Sequence, residues 1–499
     1  ASASATRRGS YVARIGLDSI EIRNGYRTDR IRPTSVAFAS DTASTRAEIS
    51  SGDLSLRFSS RSPLDSLIAA LTRSADTLAR QIRLQSVDIE QLQPVLPDFD
   101  LQATAGRNNI LNNLLRSRKA SFDALEIRGG SHDSQPVSLR MRVEGLASGG
   151  IVLDTVKLGI AQEARQLAYY LRVANTPGNL DHVAQAAVYG SLAGNTGQLN
   201  LWQKDRSGRE GFRFGFDVAW TDSLIRASVT PRNPLFGFEP WEVNPGNYLV
   251  YRFDKRVEAD LDMTHGTQRF ALRSVTAPGS PDGIRLDIAG LNIGSMLELL
   301  PSAPPVDGVL GADVTLNLAP DSLCLRGDVS VSELSYAKQR FGNIDFGLFY
   351  GQGRGHRADA RLTLDGTEVL AVGGDYRADR ESPLDLTVTV PGLPLQPVNI
   401  FLPADMLRLS GDLQAKVHAQ GTPDRLNLNG GVRFAGTEVR VPMIGTSFRL
   451  SSDTIRIADS RVRFDSYAVT APNKNPLTIR GSVDLSDFAR MKADLALRA

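Results

Sequence analysis

Val137-Ser138-Leu139-Arg140-Met141-Arg142-Val143-Glu144 alternates apolar and polar side chains without a break. Successive side chains of an extended strand point to opposite faces, so this run sends Val137, Leu139, Met141 and Val143 one way. Ser138, Arg140, Arg142 and Glu144 go the other way, as on a sheet with one apolar and one solvated face. No helical period fits the stretch.

The same alternation recurs along the chain. Phe212, Phe214, Phe216, Val218 and Trp220 show it, as do Leu362 and Leu364, Leu384, Leu386, Val388 and Val390, Val417 and Ala419, and Ile455 and Ile457. Asp365-Gly366, Gly373-Gly374, Gly430-Gly431 and Asn244-Pro245-Gly246-Asn247 read as turns between such strands. With 44 glycines and 25 prolines, the spacing fits short strands joined by tight turns. The expected fold is all-β: a long curved antiparallel sheet, with one or two short amphipathic helices near the N-terminal part.

Those helices are the two breaks in the pattern. From Pro63, apolar residues recur every three to four positions through Leu64, Leu67, Ile68, Leu71, Leu78 and Ile82. Pro63 suits a first-turn position, and the helix is expected over 63–84. A shorter one is expected over 109–118, with Ile110, Leu111, Leu114 and Leu115 on one side. Each is expected to cover an apolar sheet face or plug its end; binding to a membrane surface is the rival use, weakened by mixed charge on the polar side.

An eleven-residue motif shows that the sheet is built from repeats. Val87–Pro97, Leu291–Pro301 and Leu393–Pro403 share apolar residues at positions 1, 3, 6 and 9 and proline at 11. Copies two and three lie 393 − 291 = 102 residues apart, and copies one and two 291 − 87 = 204 apart. Further echoes pair Leu325-Arg326-Gly327 with Leu428-Asn429-Gly430 and Leu370–Gly374 with Leu477–Gly481. A regular period of this length implies an array with several strands per unit. The motif begins at period two and slips to period three, so it is expected to be a strand ending in a helical turn or bulge, stopped by its proline. No copy occurs near residue 189, in the middle of the chain over about 173–272, which carries instead the most aromatic stretch, from Trp202 through Trp220 to Trp241 and Tyr251. The expected divisions are 1–172, 173–285, 286–390 and 391–499, the last holding the start of a C-terminal domain.

Composition narrows the function. Lys and Arg number 57 and Asp and Glu 55, a near-balance unlike the basic excess of nucleic-acid binders. Cys324 is the one cysteine, so no internal disulfide forms; its strand-like setting suits a small buried or half-buried hydrophobe. No run of about 18 apolar residues marks a transmembrane helix. The abrupt start and the strand-like end at Leu495–Ala499 suggest a piece of a longer protein.

Catalytic chemistry finds no foothold. His132, His182, His265, His356 and His418 are scattered, with no metal-ligand spacing. Gly351-Gln352-Gly353-Arg354-Gly355 leads into an alternating strand rather than a helix, so it reads as a hairpin turn and not a phosphate loop. The expectation is a protein that is not an enzyme, with no cofactor and no metal.

What remains is the apolar face. A long antiparallel array can close as a barrel, stack as a sandwich or curl into a trough. A trough would leave a large apolar face for an apolar ligand, and acyl chains are a natural filler because they need no specific polar site.

Particular segments carry a family resemblance. Pro231 to Tyr248, with Pro234-Leu235-Phe236-Gly237 and Trp241-Glu242-Val243-Asn244, resembles a segment of TamB-type translocation and assembly proteins of Bacteroidetes-like bacteria, in the AsmA-like superfamily. So do Leu409-Ser410-Gly411-Asp412-Leu413, Gly421-Thr422-Pro423, Val439-Arg440-Val441-Pro442, Asp453 to Ser460 and Pro476 to Val483, which are similar to the TamB C-terminal domain. The resemblance implies a β-taco, a U-shaped sheet with an apolar inside. It implies a periplasmic location in a Gram-negative envelope, an N-terminal inner-membrane anchor and contact with an Omp85-class outer-membrane barrel, TamA or BamA-like, both through segments this sequence lacks. Phospholipid transport to the outer membrane, or support of outer-membrane protein assembly, is the implied work. About thirty strands at ~4.8 Å each would extend roughly 140 Å.

The groove-lining residues expected on this reading are Val137, Leu139, Met141, Val143, Phe212, Phe214, Phe216, Leu362, Leu364, Leu384, Leu386, Val388, Ile455 and Ile457, with phospholipid acyl chains as partner and no nucleic acid. Arginine at Phe214 or Leu386 is expected to block the path and spare the fold. A chaperone-like scaffold pairing client strands at its sheet edge is the alternative, and a transmembrane barrel a third.

Overall fold

The computed structural model describes residues 2–7, 10–18, 20–24, 27–116, 118–132, 135–175, 185–205, 207–230, 234–275, 283–298, 304–319, 322–352, 355–380, 382–403, 406–422, 425–486 and 490–498. Strands dominate and pair antiparallel. Among the described residues, neighbouring strands join into an extended antiparallel sheet within each of two compact units, and Ile20–Asn24 pairs apart with Arg27–Ile31. The all-β class expected from the alternation is the fold found. Two compact units divide the chain: 1–254 with 298–303, and 255–297 with 304–499.

Register turns the period-two pattern into continuous surfaces. In the first unit, directly opposed residues run Ile15, Val36, Ile49, Leu56, Ala103, Ile127, Met141, Leu158, Leu171, Val188, Leu201 and Phe214. Every member of this rung is apolar, because a one-residue slip anywhere would move a strand's apolar set to the other face. In the second unit the rung runs Leu261, Leu272, Leu286, Val314, Gly327, Leu348, Ala360, Val372, Val388, Val417, Gly430, Ile457, Val462, Val483 and Ala493. No polar side chain interrupts it.

One cluster of charges on the opposite face of the second unit is compensated. Asp287 lies directly opposite Asp313, a like-charge pairing that is unfavourable alone. Arg269 bridges Asp262 at 2.9 Å and Asp287 at 3.4 Å, and Arg285 holds Asp313 at 2.5 Å.

Two pairs of glycines correct the sequence reading. Gly373-Gly374 lies inside the strand Thr367–Tyr376 and Gly430-Gly431 inside Arg425–Val441, so neither pair is a turn. The reason is space. A Cβ on Gly374 would stand 2.1 Å from the Asp385 carbonyl oxygen, and one on Gly430 2.0 Å from that of Lys416. Gly327 and Gly481, the other glycines of the two repeated segments, likewise meet backbone at 2.5 Å and 2.1 Å. All four share the apolar register. On the polar register, Gly373 meets only the Asp359 carboxylate tip, at 2.9 Å, and Gly347 only that of Asp328, at 3.2 Å. At Gly327 and Gly374, where φ is ordinary, neighbouring backbone therefore crowds the apolar side, which makes that side the concave one there; at Gly430 and Gly481 a positive φ itself calls for glycine.

The eleven-residue motif has the predicted form. In the first copy, Val87 makes an isolated bridge to Gly194, and a helical turn, Ile89–Leu92, runs into a 3-10 turn, Gln93–Val95. In the second, the strand Gly283–Asn292 passes directly into the helical turn Ile293–Leu297; Pro301 lies outside the described residues. In the third, the strand Leu384–Pro394 is followed by a 3-10 turn, Pro397–Phe401. The two strands of the second unit run in the same direction, so both turns fall at the same end of the sheet's strands. Near residue 189, the strand Gln185–Ala193 continues the plain alternation.

Candidate functional site

Helices define the borders of the apolar face in the first unit. The longer helix, α1 (Leu64–Arg83), is tied at both ends to residues in the apolar register. At its start the Leu64 N–H donates to Ser40 Oγ at 3.1 Å, and Thr45 Oγ1 donates to the Ser62 carbonyl at 2.9 Å. Beyond its end the Trp220 ring N–H donates to the Gln85 carbonyl. Between them Gln162 Nε2 donates to Gln93 Oε1 at 2.8 Å. A 20-residue helix spans about 30 Å, close to the six inter-strand steps from Leu54–Ser60 to Gln185–Ala193. It therefore runs along one set of strand ends on the apolar side.

The shorter helix, α2 (Ile110–Arg116), marks the other strand ends. Ile110 and Leu115 pack on a core of Leu54, Ala105, Phe122, Val143 and Val156. Its attachment is polar: buried Asn112 accepts from the Phe122 N–H at 2.9 Å and donates to the Phe122 and Gly106 carbonyls at 2.8 Å each. Asp53 anchors the preceding loop by accepting from Gly106, Asn108 and Asn109.

Both helices sit at strand ends, and α2 covers part of the apolar face there through Ile110 and Leu115. α1 buries Leu67, Thr77 and Gln81, while Ile68, Leu71, Leu78 and Ile82 stay 49 to 67% exposed. Hydrogen bonds from Gln81 to Asp88 and from Ser74 to the Val95 carbonyl hold the helix by its polar side instead. In α2, Leu111 and Leu114 remain exposed. Between the helices lies a floor whose middle is open: Leu139 is 37% exposed, Ile160 38% and Leu171 39%, against 7% for Val143 beside α2.

The predicted lining residues all fall in the apolar register, Val137, Leu139, Met141 and Val143 in one strand and Phe212, Phe214 and Phe216 in another. In the second unit, Leu362 and Leu364, Leu384, Leu386 and Val388, and Ile455 and Ile457 do the same. They are not equally open. Phe214 is 8% exposed, with the rings of Phe212, Phe216 and Phe236 at 4.9, 6.0 and 6.1 Å. Arginine there would disrupt this packing, which corrects the expectation that it spares the fold. Residues such as Leu158, Leu171, Val188 and Leu201 belong to the floor and were missed. Leu167-Ala168-Tyr169-Tyr170-Leu171 does not alternate cleanly, so only pairing of Leu171 with Leu158 and Val188 assigns its face.

The surface is correspondingly large. The chain exposes 30197 Å² at 54.0 kDa. Two compact bodies of half that mass would together expose roughly 22,000 Å².

Three histidines hydrogen-bond to neighbouring side chains. His132, 14% exposed at its side chain, lies 3.2 Å from both Asp98 and Asp100. Hydrogen bonding to Asp98 raises its pKa above the ordinary 6.5 against the opposing effect of burial, with Asp100 adding to the rise. A raised folded-state pKa stabilises the fold at acid pH, and that stability is lost as pH climbs from about 6.5 through the folded value. Thermal denaturation should therefore show the melting temperature falling between about pH 6 and pH 8, with a flatter profile in His132→Asn. His356 is 2.6 Å from the Tyr350 hydroxyl and His418 2.7 Å from Asp385, far apart in the register; His182 lies outside the described residues. Tyr467, pushed up to about 12 by burial, donates to the Ser451 carbonyl. Among the described residues no group of three His, Cys, Asp or Glu could hold a metal, and no helix is long and apolar enough to cross a membrane. Cys324 is half-buried in a strand.

No family model, curated protein or solved structure matches this chain.

Proposed function

We propose that this chain is a non-catalytic apolar groove that holds phospholipid acyl chains and lets them slide. The observation carrying this reading is the unbroken apolar rung in each unit, open to the surface along the middle of the first unit's floor. A face of this extent without a protein partner suits an apolar ligand. Alkyl chains need only methyl and methylene contacts, at about 0.8 kcal/mol per buried CH₂, so neighbouring strands offer near-equivalent positions. Concavity at Gly327 and Gly374 fits a groove better than a flat sheet.

The TamB-like segments extend the proposal to place. On that resemblance the chain works in the periplasm of a Gram-negative cell and carries phospholipid between inner and outer membranes, with an Omp85-class barrel as partner of the whole protein. Native mass spectrometry of the purified chain should show co-purified phospholipid. Photo-crosslinkers at Leu139 and Leu171 should capture it, and those at Arg140 and Arg172 should not. Lipid captured only at the two arginine positions would reverse the assignment of faces.

A further inference from the structure

The polar face of the first unit carries charge of a different kind from that of the second. Two neighbouring rungs cross it. One runs Arg128, Arg140, Gly159, Tyr170, Tyr189 and Asn200; the other runs Glu126, Arg142, Lys157, Arg172, Ala187 and Trp202. Arg142, Lys157 and Arg172 are thus directly opposed on three consecutive strands, an unfavourable arrangement. The nearby carboxylates are already engaged, Glu126 with Arg128 at 2.5 Å and Glu144 with Arg142 at 2.6 Å. Arg140, Lys157 and Arg172 have no carboxylate partner among the described residues. Where the second unit's Asp262, Asp287 and Asp313 are matched by arginines, the three cations Arg140, Lys157 and Arg172 of this patch stand without a carboxylate.

Aromatic rings stand among these cations. Tyr170 and Tyr189 are 38% and 43% exposed. Tyr170 lies across Gly159, where a Cβ would stand 2.2 Å from the ring, so the ring rests against the sheet with its other side outward. The Arg172 guanidinium sits 5.1 Å from the Trp202 ring centroid and Lys204 Nζ 5.6 Å from it. Tyr170, Tyr189, Arg172 and Trp202, with Arg140 and Lys157, line a cleft of about 810 Å³; Glu163, near the hairpin turn, is its one acidic residue.

We propose that this cleft binds an anionic saccharide, with sugar rings stacked on Tyr170 and Tyr189, phosphate or sulfate groups on Arg140, Lys157 and Arg172, and Trp202 beneath Arg172 as the residue that senses binding. Charge complementarity requires an anion, and exposed ring faces favour a ligand with flat C–H faces over a bare polyanion. A concave site of this size admits a few sugar units and not a bilayer surface. Its cations and stacking rings belong to the polar register, while Ile160 of the apolar floor also lines the cleft.

Titration of the whole chain with dextran sulfate, followed by tryptophan fluorescence, tests the idea. Dextran sulfate should bind and shift the emission, and Trp202→Phe should remove the shift. Neutral dextran should not bind, and polyphosphate of matched charge should bind at least about tenfold more weakly. Tyr189→Ala and Lys157→Gln should each weaken dextran sulfate binding roughly tenfold. Lys157→Gln should also keep or raise the melting temperature, because it relieves like-charge opposition; this separates lost binding from lost folding. Polyphosphate binding as tightly as dextran sulfate, with Tyr189→Ala unchanged, would overturn the proposal in favour of unspecific attraction. Binding of phosphatidylglycerol vesicles alone, or of no anion, would overturn it equally.

Discussion

Leu171→Arg should abolish phospholipid retention while leaving the chain folded. Leu171 sits in the middle of the first unit's apolar rung, opposed by Leu158 and Val188, and is 39% exposed. An arginine there can lift its guanidinium into water, as long cationic side chains do, so the cost to folding stays near 1 kcal/mol. An acyl chain crossing that position would have to desolvate the charge or leave the floor. Burying a polar group unpaired costs about 1–3 kcal/mol on protein scales, and a charge costs more. Retention should therefore fall at least thirtyfold by native mass spectrometry, with an unchanged circular dichroism spectrum. Leu171→Met, close in volume and apolar, should retain lipid. Full retention in folded Leu171→Arg would mean that lipid does not use this floor.

The second large effect concerns folding. Gly374→Ala should destabilise the second unit by about 3 kcal/mol or more in urea denaturation, while its neighbour Gly373→Ala should change stability by less than about 1 kcal/mol. These glycines lie side by side in one strand and face opposite ways. A methyl at Gly374 would meet the Asp385 carbonyl oxygen at 2.1 Å and the Leu386 Cα at 2.8 Å, and backbone cannot rotate aside. A methyl at Gly373 would meet only the Asp359 carboxylate tip, which can. Alanine at Gly373 also narrows the unfolded ensemble, a gain of about 0.4–1 kcal/mol where the backbone permits it. Equal effects at the two positions would remove the argument that the apolar side is concave there.

Strand content and the apolar set were legible because both depend on local chemistry. Alternation such as Val137 to Glu144 cannot be satisfied by a helix, and the motif's slip from period two to three announced the turns at Ile89–Leu92 and Ile293–Leu297. Glycine was misread for an equally physical reason. In sequence, Gly373-Gly374 looks like flexibility; in the sheet, Gly374 is a requirement for room beside Asp385, and nothing in the local residues tells the two apart.

By itself the sequence determined the apolar face where alternation is clean, as from Val137 to Glu144, since the pleat dictates parity; the face of Leu171 came from pairing with Leu158 and Val188. Only the tertiary structure decided how that face is used. Strand pairing aligned separate apolar runs into unbroken rungs, and close backbone approach made the apolar side concave at Gly327 and Gly374. Polar anchors such as Ser40, Gln162 and Trp220, lying 24, 69 and 135 residues from their partners, held the longer helix at the border with apolar side chains still exposed. Register, curvature and anchoring depend on which strand lies beside which, and that is information no single segment carries.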